Sequence, residues 1–276
     1  MQKIPGKHLA NQITAELKEE IKNKQLNPKL AALLVGDDQA SHIYVNLKEK
    51  AAHDIGIETD FRRLPADTPD DELVKIIQDW NQDESITGIL VQMPLPPGHD
   101  KDKVLSAMDP EKDADGFHSE NIKALESGHA KLISPLLEGI LRLIAATPKE
   151  PNHALVVILA NSHIFADPLK YILEKAGASV KVVLADEKED KELREADVII
   201  VAVGKEKFLT SNGVKDGSCV IDVGINRNKE GKVCGDFDSE ACVDIEGWYS
   251  PVPGGVGPMT VALLMKNVVR LADKIE

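Results

Sequence analysis

The chain has 276 residues, of which 42% are hydrophobic, 29% charged and only 4% aromatic. Its 46 acidic and 33 basic side chains give a formal net charge of −13 at pH 7, and a surface this acidic repels the phosphate backbone of nucleic acids. There is no run of 18 apolar residues and no apolar leader at the N-terminus. Composition therefore predicts a cytoplasmic globular protein, of one large or two ordinary domains, that binds neither nucleic acid nor membranes.

The three cysteines point to the same compartment. Cys219, Cys234 and Cys242 form no CxxC pair, and their number is odd. This pattern is typical of reduced thiols in the cytoplasm and predicts neither a disulfide framework nor a metal site.

The first half of the chain alternates between helical and extended patterns. Apolar residues four apart from Leu9 to Ile21 predict an amphipathic helix, and the apolar run Leu30–Val35 predicts a strand covered on both faces. Thr68 as N-cap and Pro69 in the first turn predict the start of a later helix. The predicted elements are a helix over 9–21, a strand over 30–35, a helix ending near 54, a strand over 57–64, a helix from 68–71 onwards and a strand over 88–92.

The same alternation restarts after Pro151. The predicted elements are strands over 155–159, 180–184, 197–203 and 219–223, a helix ending near 176, an exposed helix start in the charged run 186–192, and a last helix over about 259–274. Strands that alternate with helices favour parallel sheets covered by helices, and the second series resembles a dinucleotide-binding sheet. We therefore expect an α/β fold of two lobes with a cleft between them, the second lobe Rossmann-like and the last helix packing back on the first.

Two polar positions in the first half have spacings suited to catalysis. Tyr44 and Lys48 lie four apart on a helix and so share one face, where a ring can hold a flat heterocycle beside an amine. Gln92 closes a buried strand at the sheet edge where α/β proteins bind ligands. A surface lysine beside a half-buried tyrosine, and a plain strand end before a proline turn, explain the same residues without function.

Two further segments could contact a ligand. Asp113 and Asp115 flank a turn at Gly116, and a fixed carboxylate there can accept two hydrogen bonds from an amidine-like edge such as that of a pterin. An Asx-turn or helix cap fits these residues equally well. Pro253, Gly254 and Gly255 precede the last helix, where glycines allow close backbone approach to a ligand, although a tight loop would look alike.

Taken together and in order, these segments resemble the bifunctional methylenetetrahydrofolate dehydrogenase/methenyltetrahydrofolate cyclohydrolase family. The resemblance extends from about Leu30 to Thr260, nearly the whole chain. It is carried by the segments LLVGDDQASHIYVNLKEKA, GILVQMPLP, KDADGFH, ADVIIVAVGK, VIDVGINR, GDFD and SPVPGGVGPMT.

The resemblance implies an enzyme of folate one-carbon metabolism that uses NADP or NAD and no metal. Its domains would be a folate domain over 1–121 and 257–276 and a dinucleotide-binding domain over 122–256, and it would form a homodimer. The implied catalytic residues are Lys48, which we expect to be mostly exposed in the cleft, with Tyr44 and Gln92. The implied substrate-binding residues are Tyr44, Asp115, Pro253, Gly254 and Gly255, and the implied cofactor-binding residues are Asn161, Ser162 and Ile225.

The second lobe departs from the family pattern at the nucleotide turn. The family has Gly-Arg-Ser-x-x-Val-Gly-x-Pro where this chain has Ala160-Asn-Ser-His-Ile-Phe-Ala-Asp-Pro168. Alanines in place of both glycines should hinder a diphosphate, and Asn161 lacks the charge that the family's arginine offers the 2′-phosphate of NADP. Asp186 after the next strand would suit a ribose hydroxyl instead, and Lys205 or Lys207 could replace the lost charge.

These departures lead to three functional hypotheses. The first is an enzyme that hydrolyses 5,10-methenyltetrahydrofolate to 10-formyltetrahydrofolate but is a weak or altered dehydrogenase, without preference for NADP. The alternative is the full bifunctional NADP-dependent enzyme. The third, a non-catalytic folate-binding regulatory subunit, is disfavoured because such a protein does not need Lys48.

Overall fold

The structure is a computed structural model that describes residues 1–273, so that Lys274, the predicted end of the last helix, lies outside the described residues. Strands and helices alternate along most of the chain. In chain order they are β1 (Gln2–Lys3), α1 (Gly6–Lys24), β2 (Lys29–Val35), α2 (Gln39–Ile55), β3 (Glu58–Leu64), α3 (Asp70–Gln82), β4 (Gly88–Val91), α4 (Lys101–Ser106), α5 (Ser119–Glu126), α6 (Pro135–Ala145), β5 (Leu155–Ala160), α7 (His163–Lys175), β6 (Ser179–Leu184), α8 (Asp190–Leu193), β7 (Val198–Ala202), β8 (Ser218–Asp222), β9 (Asn226–Arg227), β10 (Val233–Cys234), β11 (Gly247–Tyr249) and α9 (Val256–Asp273).

The chain divides into two compact units, each with its own parallel sheet. The six-stranded unit comprises Met1–Leu9 and Leu136–Thr260, and the three-stranded unit comprises Ala10–Pro135 and the described part of Val261–Glu276. These bounds differ from the predicted domains over 1–9, 122–135 and 257–260, and the predicted domain division stays a prediction. The α/β fold with a Rossmann-like second sheet is confirmed.

The six-stranded unit is a doubly wound sheet in the order β1-β11-β8-β7-β5-β6, with all neighbours parallel. Its central strands are apolar on both faces, and Val157, Ile199 and Val220 are fully buried. Strand β5 lies between β6 and β7, so successive connections leave it in opposite directions. The carboxyl ends of β5 and β7 therefore form the edge at which such sheets bind ligands.

The three-stranded unit has β2 at the centre of a parallel sheet, between β3 and β4. Leu30–Val35 is buried at every position, as predicted from its unbroken apolar run. The C-terminal helix packs on this sheet: a Cβ built on Gly88 of β4 would lie 3.3 Å from Cγ2 of Val268 in α9. The predicted return of the last helix to the first lobe is thus confirmed within this unit.

One local prediction fails at a helix start. Thr68 is not a side-chain cap: its hydroxyl donates to the carbonyl of Pro65 at 2.8 Å, and helix α3 begins at Asp70 with the carbonyl of Pro69 accepting from Leu73. In the charged run, the predicted exposed helix start is confirmed: the short helix α8 begins at Asp190, after a 3-10 turn over Ala185–Glu187. Among residues 1–273, no helix is both long and apolar enough to cross a membrane.

Candidate active site

Helix α2 presents Tyr44 and Lys48 on one face of the three-stranded unit. The helix is capped by the Asp38 carboxylate, which accepts from the Ser41 N–H at 2.8 Å, and it ends at Gly56 with φ +92°. Tyr44 is half-buried and Lys48 is only 6% exposed. The expectation of a mostly exposed Lys48 is therefore wrong, because the side chain turns into the protein towards Gln92.

The Lys48 ammonium donates to Oε1 of Gln92 at 2.9 Å. Gln92 directly follows β4, whose neighbour β2 is joined to α2, and this brings the two side chains together. The amide of Gln92 is held at its other end, since Nε2 donates to the Met93 carbonyl at 2.6 Å. Gln92 thus lies at the carboxyl end of a strand, as predicted, and its side chain contacts Lys48.

Burial and mutual charge shift the pKa values of this group. Burial lowers the pKa of Lys48, while the negative charge of Asp115 opposes that shift. Burial raises the pKa of Asp115, and Asp113 adds to the rise while Lys48 counteracts it. Burial also raises the pKa of Tyr44. A lysine of lowered pKa beside an acid can exchange protons nearer to neutral pH than an exposed lysine.

The two aspartates around Gly116 have different tasks. The Asp113 carboxylate is fully buried and accepts from the backbone N–H groups of Gly116 at 2.9 Å and His118 at 2.8 Å. It also accepts from the Asn121 amide at 2.9 Å. Asp113 is therefore the turn-forming residue, which leaves Asp115 as the carboxylate available to a ligand.

Asn267 supports the Asp115 loop, and sequence reasoning missed it. From α9 its Nδ2 donates to the carbonyls of Ala114 at 2.9 Å and Ile133 at 3.1 Å, and the residue is 1% exposed. A buried amide needs such partners. The signal in the sequence is an asparagine within the apolar face of the last helix.

Pro253, Gly254 and Gly255 lie in the six-stranded unit, in the loop before α9. Gly254 has φ +115°, and a Cβ built on Gly255 would lie 2.7 Å from the carbonyl oxygen of Pro251. Backbone geometry alone thus requires both glycines, and their predicted contact with substrate stays a prediction.

The predicted nucleotide turn lies at the carboxyl end of β5, where α7 begins. Ser162 is at the N-cap position without a side-chain cap bond, so the first N–H groups of α7 can receive a diphosphate. Ala160 and Ala166 are both 0% exposed. Their methyl groups are therefore covered by the protein's own atoms, which argues against the expected steric hindrance.

The residues predicted to distinguish NADP from NAD are also at this edge. Asn161 donates to the Val203 carbonyl at 2.6 Å, which bridges the ends of β5 and β7. Asp186 is exposed, as is Ile225, at 46%. The ammonium of Lys207 is paired with Glu240 at 2.7 Å, which leaves Lys205 as the better substitute for the missing arginine.

No group of three or more metal-binding side chains occurs within residues 1–273. The three cysteines are free thiols, two of them buried.

Comparisons with known proteins agree with this arrangement. Family models of tetrahydrofolate dehydrogenase/cyclohydrolase match residues 4–115, as the catalytic domain, and 135–276, as the NAD(P)-binding domain. The bifunctional protein FolD of Agathobacter rectalis is 41% identical over 96% of this chain and 97% of its own length. FolD of Lactococcus lactis subsp. lactis is 41% identical over 99% and 98%.

Solved structures have the same fold over 98–99% of the chain. The FolD methylenetetrahydrofolate dehydrogenase/cyclohydrolase of Campylobacter jejuni superposes with a TM-score of 0.93 at 39% identity, covering 99% of both chains. The Trypanosoma brucei enzyme, solved with NADP and an inhibitor, gives a TM-score of 0.92 at 30% identity over 98% and 97%. With both family models matched and the lysine, glutamine and aspartate gathered in one unit, the chain belongs to the tetrahydrofolate dehydrogenase/cyclohydrolase family.

Proposed function

We propose that the chain catalyses both reactions of its family: NAD(P)-dependent oxidation of 5,10-methylenetetrahydrofolate and hydrolysis of the methenyl product to 10-formyltetrahydrofolate. The observation that carries the proposal is the buried Lys48 ammonium, bonded to Gln92 and influenced by the charge of Asp115. A non-catalytic folate-binding subunit would have no use for a desolvated lysine.

The hydrolytic step follows from the lowered pKa of Lys48. Water attacks the N–C–N carbon of the methenyl cation, and the neutral amine of Lys48 takes a proton from that water. The resulting ammonium returns the proton to the ring nitrogen as its bond to that carbon breaks, and the remaining hydroxyl proton leaves to solvent. The Gln92 carbonyl keeps the amine oriented through both transfers.

Substrate binding is assigned to the two partly buried groups beside the lysine. Asp115 would accept two hydrogen bonds from the amino-pyrimidinone edge of the pterin, since Asp113 already satisfies the turn. Tyr44, one helical turn from Lys48, would stack on the folate ring. Pro253, Gly254 and Gly255 are proposed as further substrate contacts.

The dehydrogenase step requires a bound nicotinamide dinucleotide, which accepts the hydride lost from the substrate carbon. Ser162 and the first N–H groups of α7 would hold its diphosphate, with Asn161 and Ile225 at the same sheet edge. The buried methyls of Ala160 and Ala166 and the bifunctional names of the relatives favour a working dehydrogenase over our first hypothesis of a weak one. Asn161 and Asp186 remain the observations in favour of weak binding of NADP.

The deciding experiment measures both activities on one preparation, with NAD and NADP in turn. We expect methenyltetrahydrofolate hydrolysis together with oxidation of methylenetetrahydrofolate. In a matched variant, Asn161→Arg, a restored charge-assisted contact should tighten NADP binding about tenfold or more and leave NAD unchanged. Hydrolysis without oxidation by either nucleotide would restore the weak-dehydrogenase hypothesis. The absence of both activities would refute the proposal.

The proposal also includes a cytoplasmic location and a homodimeric state. Three free thiols suit a reducing compartment, and the dimer is expected from the family resemblance. Light scattering on the purified chain tests the dimer, because a monomer at working concentration would contradict it.

A further inference from the structure

His99 lies seven residues beyond Gln92, and both of its ring nitrogens face acceptors. Nδ1 lies 2.6 Å from Oδ1 of Asp70, the first residue of α3, and Nε2 lies 3.0 Å from the carbonyl oxygen of Ala66. A carbonyl oxygen only accepts, so Nε2 carries a proton. The His99 side chain is 7% exposed, and water therefore competes little for these contacts.

Asp70 is the ionised partner of this pair. Its second oxygen accepts the Asp100 N–H at 3.0 Å, and this bond and that to His99 lower the pKa of the carboxyl. Since a carboxylate has no proton to donate, Nδ1 must donate as well. Both nitrogens of His99 are thus protonated, and the ring is an imidazolium.

The surrounding charges agree with this protonation state. The hydrogen bond to Asp70 raises the pKa of His99, while burial acts in the opposite direction and the Ala66 carbonyl adds to the rise. The neighbouring pair Lys103–Asp71, at 2.7 Å, joins α4 to α3 beside it. The other charged side chains on the elements that pack here are Asp67, Glu72, Lys75, Asp79, Asp100, Lys101 and Asp102.

Residues 93–98 connect Gln92 to His99, and the contacts of this segment determine the orientation of the Gln92 side chain. Its first carbonyl, from Met93, accepts from the Gln92 amide. Its middle is stiffened by proline and packs beside Gly36, the residue directly after β2, because a Cβ built on Gly36 would lie 2.8 Å from Cγ of Pro96 and 3.5 Å from Cβ of Ala66. Ala66 is also the residue whose carbonyl accepts the hydrogen bond from Nε2 of His99. This bond therefore keeps the segment 93–98 packed against Gly36.

We propose that His99 and Asp70 form a charged latch that positions Gln92, and through it Lys48, for proton transfer. This positioning role rests on the proposed function. The latch fixes residues 93–98 between the end of β2 and the start of α3. Without it the Gln92 carbonyl loses its fixed direction and the Lys48 amine its orientation, whereas Tyr44 and Asp115 still bind folate.

The first test needs no activity. In the full chain labelled with ¹⁵N, both ring nitrogens of His99 should have imidazolium shifts at pH 7 and should titrate above the ordinary histidine pKa of 6.5. His99→Gln should also shift the side-chain amide resonance of Gln92. A neutral ring at pH 7, or an unmoved Gln92 amide, would overturn the latch even if the enzyme is active.

The second test is kinetic and uses His99→Gln and Asp70→Asn, with His53→Gln as the matched control. His53 is an exposed histidine of the same unit, whose ring nitrogen contacts the Thr59 hydroxyl at 3.0 Å. Each latch variant should lower kcat for hydrolysis about tenfold, the lower end of the range for loss of one charge-assisted bond, and leave KM for folate unchanged. The control should behave as the wild type.

The pH profile separates positioning from plain stabilisation. The latch is complete below pH 6.5 and is lost as pH rises through the raised pKa of His99, so the wild-type advantage over His99→Gln should shrink at alkaline pH. An equal loss at every pH, or wild-type kcat in both latch variants, would refute the proposal. If His99→Gln does not fold, Asp70→Asn and the ¹⁵N shifts of the wild type still decide.

Discussion

Lys48 is buried, and within residues 1–273 its ammonium has one hydrogen-bond partner, the neutral side-chain amide of Gln92. The Gln92 carbonyl accepts one of its N–H groups, but a neutral amide compensates a desolvated ammonium only in part. The same feature that makes the amine reactive therefore reduces the stability of the fold.

Replacement of this lysine should separate the two effects. Lys48→Met is expected to lower the rate of hydrolysis by about 10²–10⁴-fold, the usual contribution of a general acid–base group. The melting temperature should not fall, because an apolar chain of similar length replaces a buried charge. Calorimetry and a hydrolysis assay on the same sample check this. Full turnover would exclude Lys48 from the site.

The two aspartates of the Gly116 turn provide a matched pair of variants. Asp115→Asn should cost about 1.5–3 kcal/mol of folate binding through the lost charge-assisted bonds and leave dinucleotide affinity unchanged. Without the nearby negative charge, the pKa of Lys48 should fall further, which shifts the acid limb of the hydrolysis profile to lower pH. Folate titration and the pH profile test both expectations.

Asp113→Asn is the structural counterpart. An amide nitrogen would face N–H donors that now bond to the carboxylate, so stability should drop by about 1–3 kcal/mol. If Asp115→Asn destabilises the fold as much as Asp113→Asn, Asp115 is a structural residue and the pterin contact is misplaced.

Sequence spacing could not decide between these two residues. Both aspartates lie within three residues before Gly116, and both suit a turn or a ligand. Which aspartate forms the turn depends on which carboxylate receives the hydrogen bonds of the following residues. Asp113 receives them, from backbone N–H groups as far as His118 and from the side chain of Asn121. The same reasoning explains Lys48, whose burial depends on Gln92, 44 positions away.

At the scale of elements, the turn between β5 and α7 differs from the family's nucleotide-binding motif in several residues but keeps its position at the carboxyl end of β5. Ala160 and Ala166 replace glycines that the family places beside the diphosphate, but both methyl groups point into the protein. Glycine at these positions would add backbone freedom without adding room for a ligand.

We expect Ala160→Gly with Ala166→Gly to leave the dissociation constants of NAD and NADP unchanged. Stability should fall by roughly 0.5–1 kcal/mol per substitution, the usual difference between glycine and alanine inside an element. Ala262→Gly, in buried α9, is the control for the stability loss. Tenfold tighter dinucleotide binding in the double variant would mean that the methyls obstruct the site.

Long periodic elements and buried apolar strands could be predicted from sequence, and strands of two or three residues could not. Strand β2 and the helices α1 and α2 have apolar patterns that burial alone explains. Strands β1 and β11 have two and three residues and exist because neighbouring strands offer them parallel partners: β11 pairs with β8, and β1 pairs with β11. Thr68 had the right sequence for a cap, but the nearby Pro65 carbonyl bound its hydroxyl instead.

For the whole molecule, buried and exposed acids impose opposite pH dependences. Burial raises the pKa of Asp222 to about 6, so its ionisation opposes folding and stability falls as pH rises from its ordinary value of 3.8 towards 6. Hydrogen bonds from Ser41, Arg62 and Ser85 lower the pKa values of other carboxyls, whose contribution is lost below 3.8. The acids with lowered pKa values of this kind are Asp38, Asp60 and Asp83.

The melting temperature should therefore be highest near pH 4, where the carboxyls with lowered pKa values are ionised and Asp222 is still protonated. Scanning calorimetry across pH 3–8 measures it. The net charge of −13 also favours mild acid, and salt separates the two causes, because added salt screens repulsion between exposed charges but not the desolvation of Asp222. A maximum above pH 7 in high salt would contradict the assigned burial of this carboxyl.

Chain connectivity determines the order in which a ribosome could complete this protein. Synthesis begins the three-stranded unit within its first residues, but Asn267 and Val268 of α9 supply its hydrogen bonds to Ala114 and Ile133 and its packing on Gly88. These residues are synthesised after every strand of the larger sheet. The unit carrying Lys48 therefore acquires its final helix only after the whole six-stranded sheet has been made.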